Sequence, residues 1–282
     1  MSFRAFRRKA SNLVFIGFCT MATMIALGSL ALILWSLLSQ GLGGLDANVF
    51  LKSTPAVGST GGLANAIVGT LLMCGLAMIA ALAVGILAGT WLSEMGGDTP
   101  FGHVVRFLND VLLSAPSILV GLFVYYLMVK NGLHHFSGLA GAVALGLLAL
   151  PVVVRTTEDI LALQSQALRE AGSALGAPEW VVIRRIVWKS AGGGLLTGGL
   201  LAFARISGET APLLFTSLGN QFFSLDMTRP MASLPTVIFQ FALSAYDDWR
   251  RLAWAGALLI AVSVLVINVL GRIIIASKAS RS

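Results

Sequence analysis

Residues Leu63 to Leu92 read LANAIVGTLLMCGLAMIAALAVGILAGTWL, a run without a single acidic or basic side chain. A helix rising about 1.5 Å per residue needs roughly 20 apolar residues to cross a hydrocarbon core about 30 Å thick. This run is long enough, and it is apolar on every face, which a helix at a water-facing surface is not. Working outward, five more windows share the pattern: approximately Leu13 to Leu38, Val111 to Val129, Leu139 to Val154, Ala191 to Thr216 and Leu252 to Ala276. The reading is an all-α integral membrane protein with six transmembrane helices.

Composition agrees. Of 282 residues, 57% are apolar and 11% charged, with mean hydropathy +0.88, whereas soluble chains carry about 25% charged residues to solvate their surface. A soluble enzyme, a disulfide scaffold and a disordered chain are all excluded. Cys19 and Cys74 lie in apolar runs with no metal or disulfide spacing, and His134 and His135 have no carboxylate or cysteine beside them. No metal, cofactor or disulfide is expected.

The net charge of +7 reports orientation rather than nucleic-acid binding, because Lys and Arg accumulate in the cytoplasmic loops of membrane proteins. With the N-terminus inside, the inner segments hold four basic residues in the first twelve, Arg106, five between Arg155 and Lys189, and Arg272, Lys278 and Arg281. The outer loops hold only Lys52, Lys130, Arg229, Arg250 and Arg251, and Arg205 falls within a span. This bias places both termini in the cytoplasm, and an even number of spans, which puts them on one side, agrees. Arg4, Arg7, Arg8 and Lys9 before an apolar run imitate a secretory signal, but the run exceeds the roughly 7–15 residues of such a signal and no A-x-A site follows. A retained anchor is expected.

Small residues mark where helices should approach, since lipid offers no hydrophobic drive for helix association. Ala77, Ala81, Gly85 and Gly89 recur in steps of four, as do Gly194 and Gly198. Within the outer loop from about Ser217 to Arg251, the apolar stretch Leu234 to Ala245 is too short to cross and predicts an interfacial or re-entrant helix.

The segment from Arg155 to Ser190 is long for a transmembrane connection and holds the densest charge in the chain. Thr157 to Leu175 has helix-forming composition, Gly176 offers a helix stop, and Pro178 suits the first turn of a second helix. Helix, turn, helix is predicted at the membrane surface. Glu170-Ala171-Gly172, then Gly176, then Ile186, resembles the EAA loop of ATP-binding-cassette importer permeases, with Gly172 where Ala is usual and Trp188-Lys189 where Leu-Pro is usual. Leu113 to Ile118, Gly121-Leu122-Phe123, Arg205 to Leu214 and Ser233-Leu234-Pro235 are further similar to the PstA-type permeases of the phosphate-specific ABC importer.

That resemblance implies type I ABC importer architecture in a bacterial inner membrane. It divides the chain into 1–62, holding the N-terminal cytoplasmic segment, first span and outer loop, a core permease domain over 63–276 with the EAA loop at about 155–190, and a cytoplasmic tail over 277–282. The implied partners are a PstC-like permease, two copies of a PstB-like cytoplasmic ATPase, an extracytoplasmic phosphate-binding protein, inorganic phosphate and membrane lipids. Glu170, Ala171, Gly172, Gly176 and Ile186 would couple the chain to the ATPase, which would do the hydrolysis. This chain is not expected to be an enzyme, having no G-x-x-x-x-G-K-[ST], HExxH or GxSxG motif.

A membrane arginine costs at least about 2.5–3.5 kcal/mol by insertion scales, so Arg205 should face a partner or a water-filled path. Glu209 follows one helical turn later, but with base preceding acid, the weaker order for an ion pair. A guanidinium fork matches phosphate oxygens, and the resemblance assigns Arg205, Glu209 and Arg155 to the substrate pathway. Two other readings stand beside it: a charge pair that packs helices against the partner subunit, with Arg155 a cytoplasmic anchor, and an ion-coupled secondary anion transporter with Glu209 as proton carrier.

Overall fold

The computed structural model describes residues 3–279; Met1, Ser2 and Ser280–Ser282, the last of which belong to the expected tail, lie outside the described residues. Among the described residues there are only helices and loops. In chain order they are α1 (Phe3–Gly44), α2 (Ala47–Leu51), α3 (Ala64–Glu94), α4 (Pro100–Ser114), α5 (Ser117–Val124), α6 (Gly138–Ala162), α7 (Gln166–Ala174), α8 (Glu179–Val182), α9 (Trp188–Ser207), α10 (Ala211–Thr216), α11 (Leu234–Ala242) and α12 (Asp247–Ala279). Two π-helical stretches extend them, Tyr125–Leu133 after α5 and Ile183–Val187 joining α8 to α9.

Five helices are long and apolar enough to cross a membrane, and a sixth crossing follows if the bent pair of Pro100–Ser114 and Ser117–Leu133 counts as one. Two of the expected spans are interrupted. The third, expected from Val111 to Val129, turns through 104° at Ala115-Pro116, where both residues are extended. Proline lacks the N–H that would continue the ladder and disfavours helical geometry in the residue before it. The fifth, expected to run to Thr216, stops at Ser207; Gly208, Glu209 and Thr210 form a break before Pro212 opens α10.

The centre of the bundle is α6, against which α3 and α9 both pack. Met73, Leu145, Ala149, Val153, Ala202 and Ile206 meet in its core. The small-residue stripes explain the closeness: a Cβ on Gly85 would stand 2.7 Å from Val153 Cγ1, and one on Gly89 2.6 Å from the Val154 carbonyl oxygen. On the other side, Gly194 and Gly198 would meet Ile160 at 2.7 Å and Thr156 at 2.6 Å, so α6 and α9 run antiparallel. By contrast α1 is uncovered along its span and touches α12 only near its end, where Gly41 and Gly44 approach Leu258 and the Arg251 carbonyl. Its exposed Phe15, Phe18 and Trp35 are the apolar exterior that a membrane chain turns to lipid or to another subunit.

At the end of the bundle opposite the 155–190 loop, the buried Asn65 accepts from the Thr54 N–H at 3.0 Å and donates to the Asn220 carbonyl at 2.7 Å, tying two connections together. The short helix expected within Leu234–Ala245 is α11. Ser233 and Thr236 close a capping box at its start, and Leu234, Val237 and Phe241 are buried.

Candidate translocation pathway and coupling loop

In the 155–190 loop, α6 itself continues through Thr157 to Ala162, and the helix expected over Thr157 to Leu175 is divided by a turn at Leu163–Ser165 before α7. Gly176 then takes φ +75°, the left-handed conformation that lets a helix end there. Pro178 sits one position before α8, its carbonyl accepting from the Val181 and Val182 N–H groups at 2.9 and 3.2 Å. From Glu179 the helix runs unbroken to Ser207. The second arm of the loop and the fifth span are therefore one rod.

Gly172 is buried, and a Cβ there would stand 2.7 Å from Ile186 Cδ1 and 3.0 Å from Val182 Cγ2. Its departure from Ala thus lets α7 lie close along the second arm. Glu170 and Ala171 point to the exterior, while Leu175 is 87% and Trp180 63% exposed. The tip of the loop is an uncovered acidic and apolar surface.

Side-chain contacts that the sequence reading does not assign hold this loop to the bundle. The Arg169 guanidinium donates to both carboxylate oxygens of Glu94, at 2.8 and 2.6 Å, and also to the carbonyls of Gln164 at 2.7 Å and Leu161 at 3.0 Å. The Glu94 hydrogen bonds raise the pKa of Arg169 against the opposing effect of burial. Trp188 donates its indole N–H to Thr90 Oγ1 at 3.0 Å, so the residue that replaces the usual Leu is a second tie to α3. Nearby, Arg106 donates to Glu158 and to the Gly97 carbonyl, both at 2.5 Å, joining α4 to α6. Only the half-burial of these charges betrays them, and burial is not legible in sequence.

The three pathway candidates are not brought into one cluster. Arg205 occupies the last turn of α9, exposed, on a face shared with Thr197 and Leu201 in steps of four. Glu209 is half-buried in the break, so the helical spacing expected to set it on the same face as Arg205 does not exist. Among the described residues neither side chain makes a hydrogen bond or ion pair. Gly198 marks the level of Thr156 on α6, and Arg205 lies seven residues on, about 10 Å further along the axis from the loop. Arg155 stands instead near the loop end on α6, half-exposed, 3.2 Å from Asp159 and 3.9 Å from Asp110. Two cations thus occur at different distances from the loop, the nearer one flanked by carboxylates and the further one exposed.

A family model described as the binding-protein-dependent transport system inner membrane component matches residues 81–279. The chain is 49% identical over 275 residues to the phosphate transport system permease protein PstA of Haemophilus influenzae, covering 98% of this chain and 97% of that one. It is 35% identical over 267 residues to PstA 1 of Mycobacterium tuberculosis, covering 93% and 88%. Among solved structures it is similar to an inward-facing MetNI methionine ABC transporter, with TM-score 0.62 and 17% identity over 74% of this chain and 92% of that one. An amino acid ABC transporter gives TM-score 0.54 at 16% identity, covering 77% and 92%.

Proposed function

The chain belongs to the binding-protein-dependent transport system inner membrane component family, and from that premise we propose that it is the permease subunit that moves inorganic phosphate through an ATP-driven importer. The relatives named for phosphate transport support the substrate. The single structural observation that carries the reading is Arg205: a guanidinium without an ion-pair partner among the described residues, on an exposed helix face in the last turn of α9. A permanently charged fork in low dielectric attracts and orients a phosphate dianion, and Glu209 in the adjoining break moderates its hold. Arg155, nearer the loop and already shared by Asp110 and Asp159, is the weaker second station through which the anion leaves.

Both termini and the 155–190 loop face the cytoplasm in this reading. Two copies of a PstB-like ATPase hydrolyse ATP; one receives Glu170, Ala171, Leu175 and Trp180 of the loop, with Gly172, Gly176 and Ile186 setting the shape of the contact. A PstC-like permease covers the Arg205 face, and an extracytoplasmic phosphate-binding protein delivers the substrate. Closure of the ATPase dimer moves the loop and alternates access to the path. An ion-coupled carrier would leave the exposed loop tip without a purpose. Reconstituting the four components in vesicles and measuring labelled phosphate uptake decides between them. Uptake should require ATP and persist when ion gradients are collapsed; uptake driven by a proton gradient without ATP would overturn the reading.

A further inference from the structure

The two arms of the loop join the bundle differently. Its second arm is continuous with α9, so a push on the loop moves α9 directly. The first arm, α7, packs on that same second arm through Gly172 and is joined to α6 only by the turn Leu163–Ser165, which by itself fixes no angle between α7 and either α6 or α3. The Arg169 guanidinium bridges this gap. It engages the Glu94 carboxylate at the end of α3 and the Leu161 and Gln164 carbonyls where α6 ends, all from the first arm. The Leu161 carbonyl, in the last turn of α6, also accepts from the Gln164 N–H at 3.0 Å, and it stands at the negative end of the helix dipole, where a cation is favoured. The carboxylate is only 7% exposed and the guanidinium 19%, so the forked pair is shielded from the solvent that weakens surface ion pairs.

We propose that Arg169 is a positioning residue, clasped to Glu94, that makes α3 and α6 follow the loop together with α9 during each transport cycle. The consequence for the path is specific: Arg155 rides on α6 and Arg205 on α9, and the clasp keeps the displacement of one in step with that of the other. Trp188 bonded to Thr90 reinforces α3 from the second arm but does not reach α6. This inference rests on the importer reading above.

Its test uses the complete complex in vesicles, recording ATP hydrolysis, phosphate uptake and the amount of assembled complex in parallel. Glu94→Gln keeps the shape of the side chain and leaves Arg169 its two carbonyls, removing only the charged half of the clasp. Phosphate uptake per ATP hydrolysed should fall about tenfold while hydrolysis and assembly persist. Glu94→Asp, which keeps the charge, should recover part of the ratio, and Arg169→Lys, which keeps charge but loses the fork, should behave like Glu94→Gln. A normal ratio in Glu94→Gln overturns the proposal. Loss of assembled complex with an unchanged ratio overturns it too, reducing the clasp to a structural brace. Failure of the importer reading would show separately, as absent ATP-dependent uptake in the wild-type complex.

Discussion

Gly121 lies so close to Pro212 that a Cβ on residue 121 would stand 2.6 Å from the proline Cα. Each residue follows the break in its own span, Gly121 on α5 and Pro212 at the start of α10. The contact therefore locks together the segments that follow the two breaks, and the neighbour that would have to yield is backbone rather than a flexible side-chain end. Gly121→Ala should destabilise the chain by about 1–3 kcal/mol through overpacking. Thermal unfolding in detergent, followed by the loss of monodisperse protein, measures it; an unchanged midpoint would show that α5 and α10 are free to separate.

Gly172→Ala should behave differently although the nearest distance, 2.7 Å, is similar. Here the obstructing atom is Ile186 Cδ1, which can rotate away, and Ala gains up to about 1 kcal/mol of helix propensity over Gly. The two effects oppose each other. Near-normal stability and near-normal uptake are expected, and a collapse of either would mean that Val182 and Ile186 are held more rigidly than a rotating terminal methyl allows.

The stripe on α3 predicts a contrast within one helix. Gly75 has nothing within 4 Å of a Cβ, whereas Gly85 would meet both Cγ1 and Cβ of Val153, a branched side chain that cannot swing aside. Gly75→Ala should be neutral or slightly stabilising, and Gly85→Ala should cost about 1–3 kcal/mol. Because the contact lies within the chain, the loss should appear in the isolated subunit as well as in the complex. Equal midpoints for the two variants, each purified alone, would place residue 85 against lipid.

What was legible in sequence and what was not divides along the range of the interactions. Apolar runs such as Leu63 to Leu92 reveal spans because membrane thickness imposes a length, and Gly176 and Pro178 reveal the loop turn because their backbone constraints act locally. The 104° bend at Ala115-Pro116 was present as a proline signal inside an otherwise apolar window, which a hydropathy reading overrides. The break at Gly208 to Thr210, just before Pro212, removes the helical spacing assumed between Arg205 and Glu209. Arg169 and Glu94, 75 residues apart, carry no local signature; only the folded chain shows that each half-buried charge has the other.

Gly176→Val should leave insertion intact and lower uptake per ATP hydrolysed. At φ +75° with no atom within 4 Å, the obstacle is conformation, not space, and a β-branched residue pays about 1–2 kcal/mol or more to enter the left-handed region. Asn tolerates that region and should rescue the turn. Uptake and hydrolysis measured on Gly176→Val and Gly176→Asn test the point, with equal behaviour of the two variants counting against a conformational role.

Arg205 yields the most discriminating prediction because the structure withholds the partner that a packing role would require. Were Arg205 held by Glu209, neutralising either would strand the other, and the two variants would fail alike. No such pair exists among the described residues, and Glu209 sits in the break rather than one turn along the helix. Arg205→Gln should therefore lower phosphate uptake by about ten- to a hundredfold, the loss expected when charge-assisted hydrogen bonds to an anion disappear. Assembly should be spared. Arg205→Lys keeps the charge but presents one point instead of a fork, so it should assemble and transport poorly. Glu209→Gln should be milder than either, since the carboxylate only tempers the cation's attraction. The measurement is labelled phosphate uptake normalised to assembled complex for all three variants. Normal uptake by Arg205→Gln would falsify a direct role in the path, and loss of assembly in that variant would assign the guanidinium to the interface with the sister permease; a Glu209→Gln defect as deep as that of Arg205→Gln would mean that the carboxylate itself takes part in each passage.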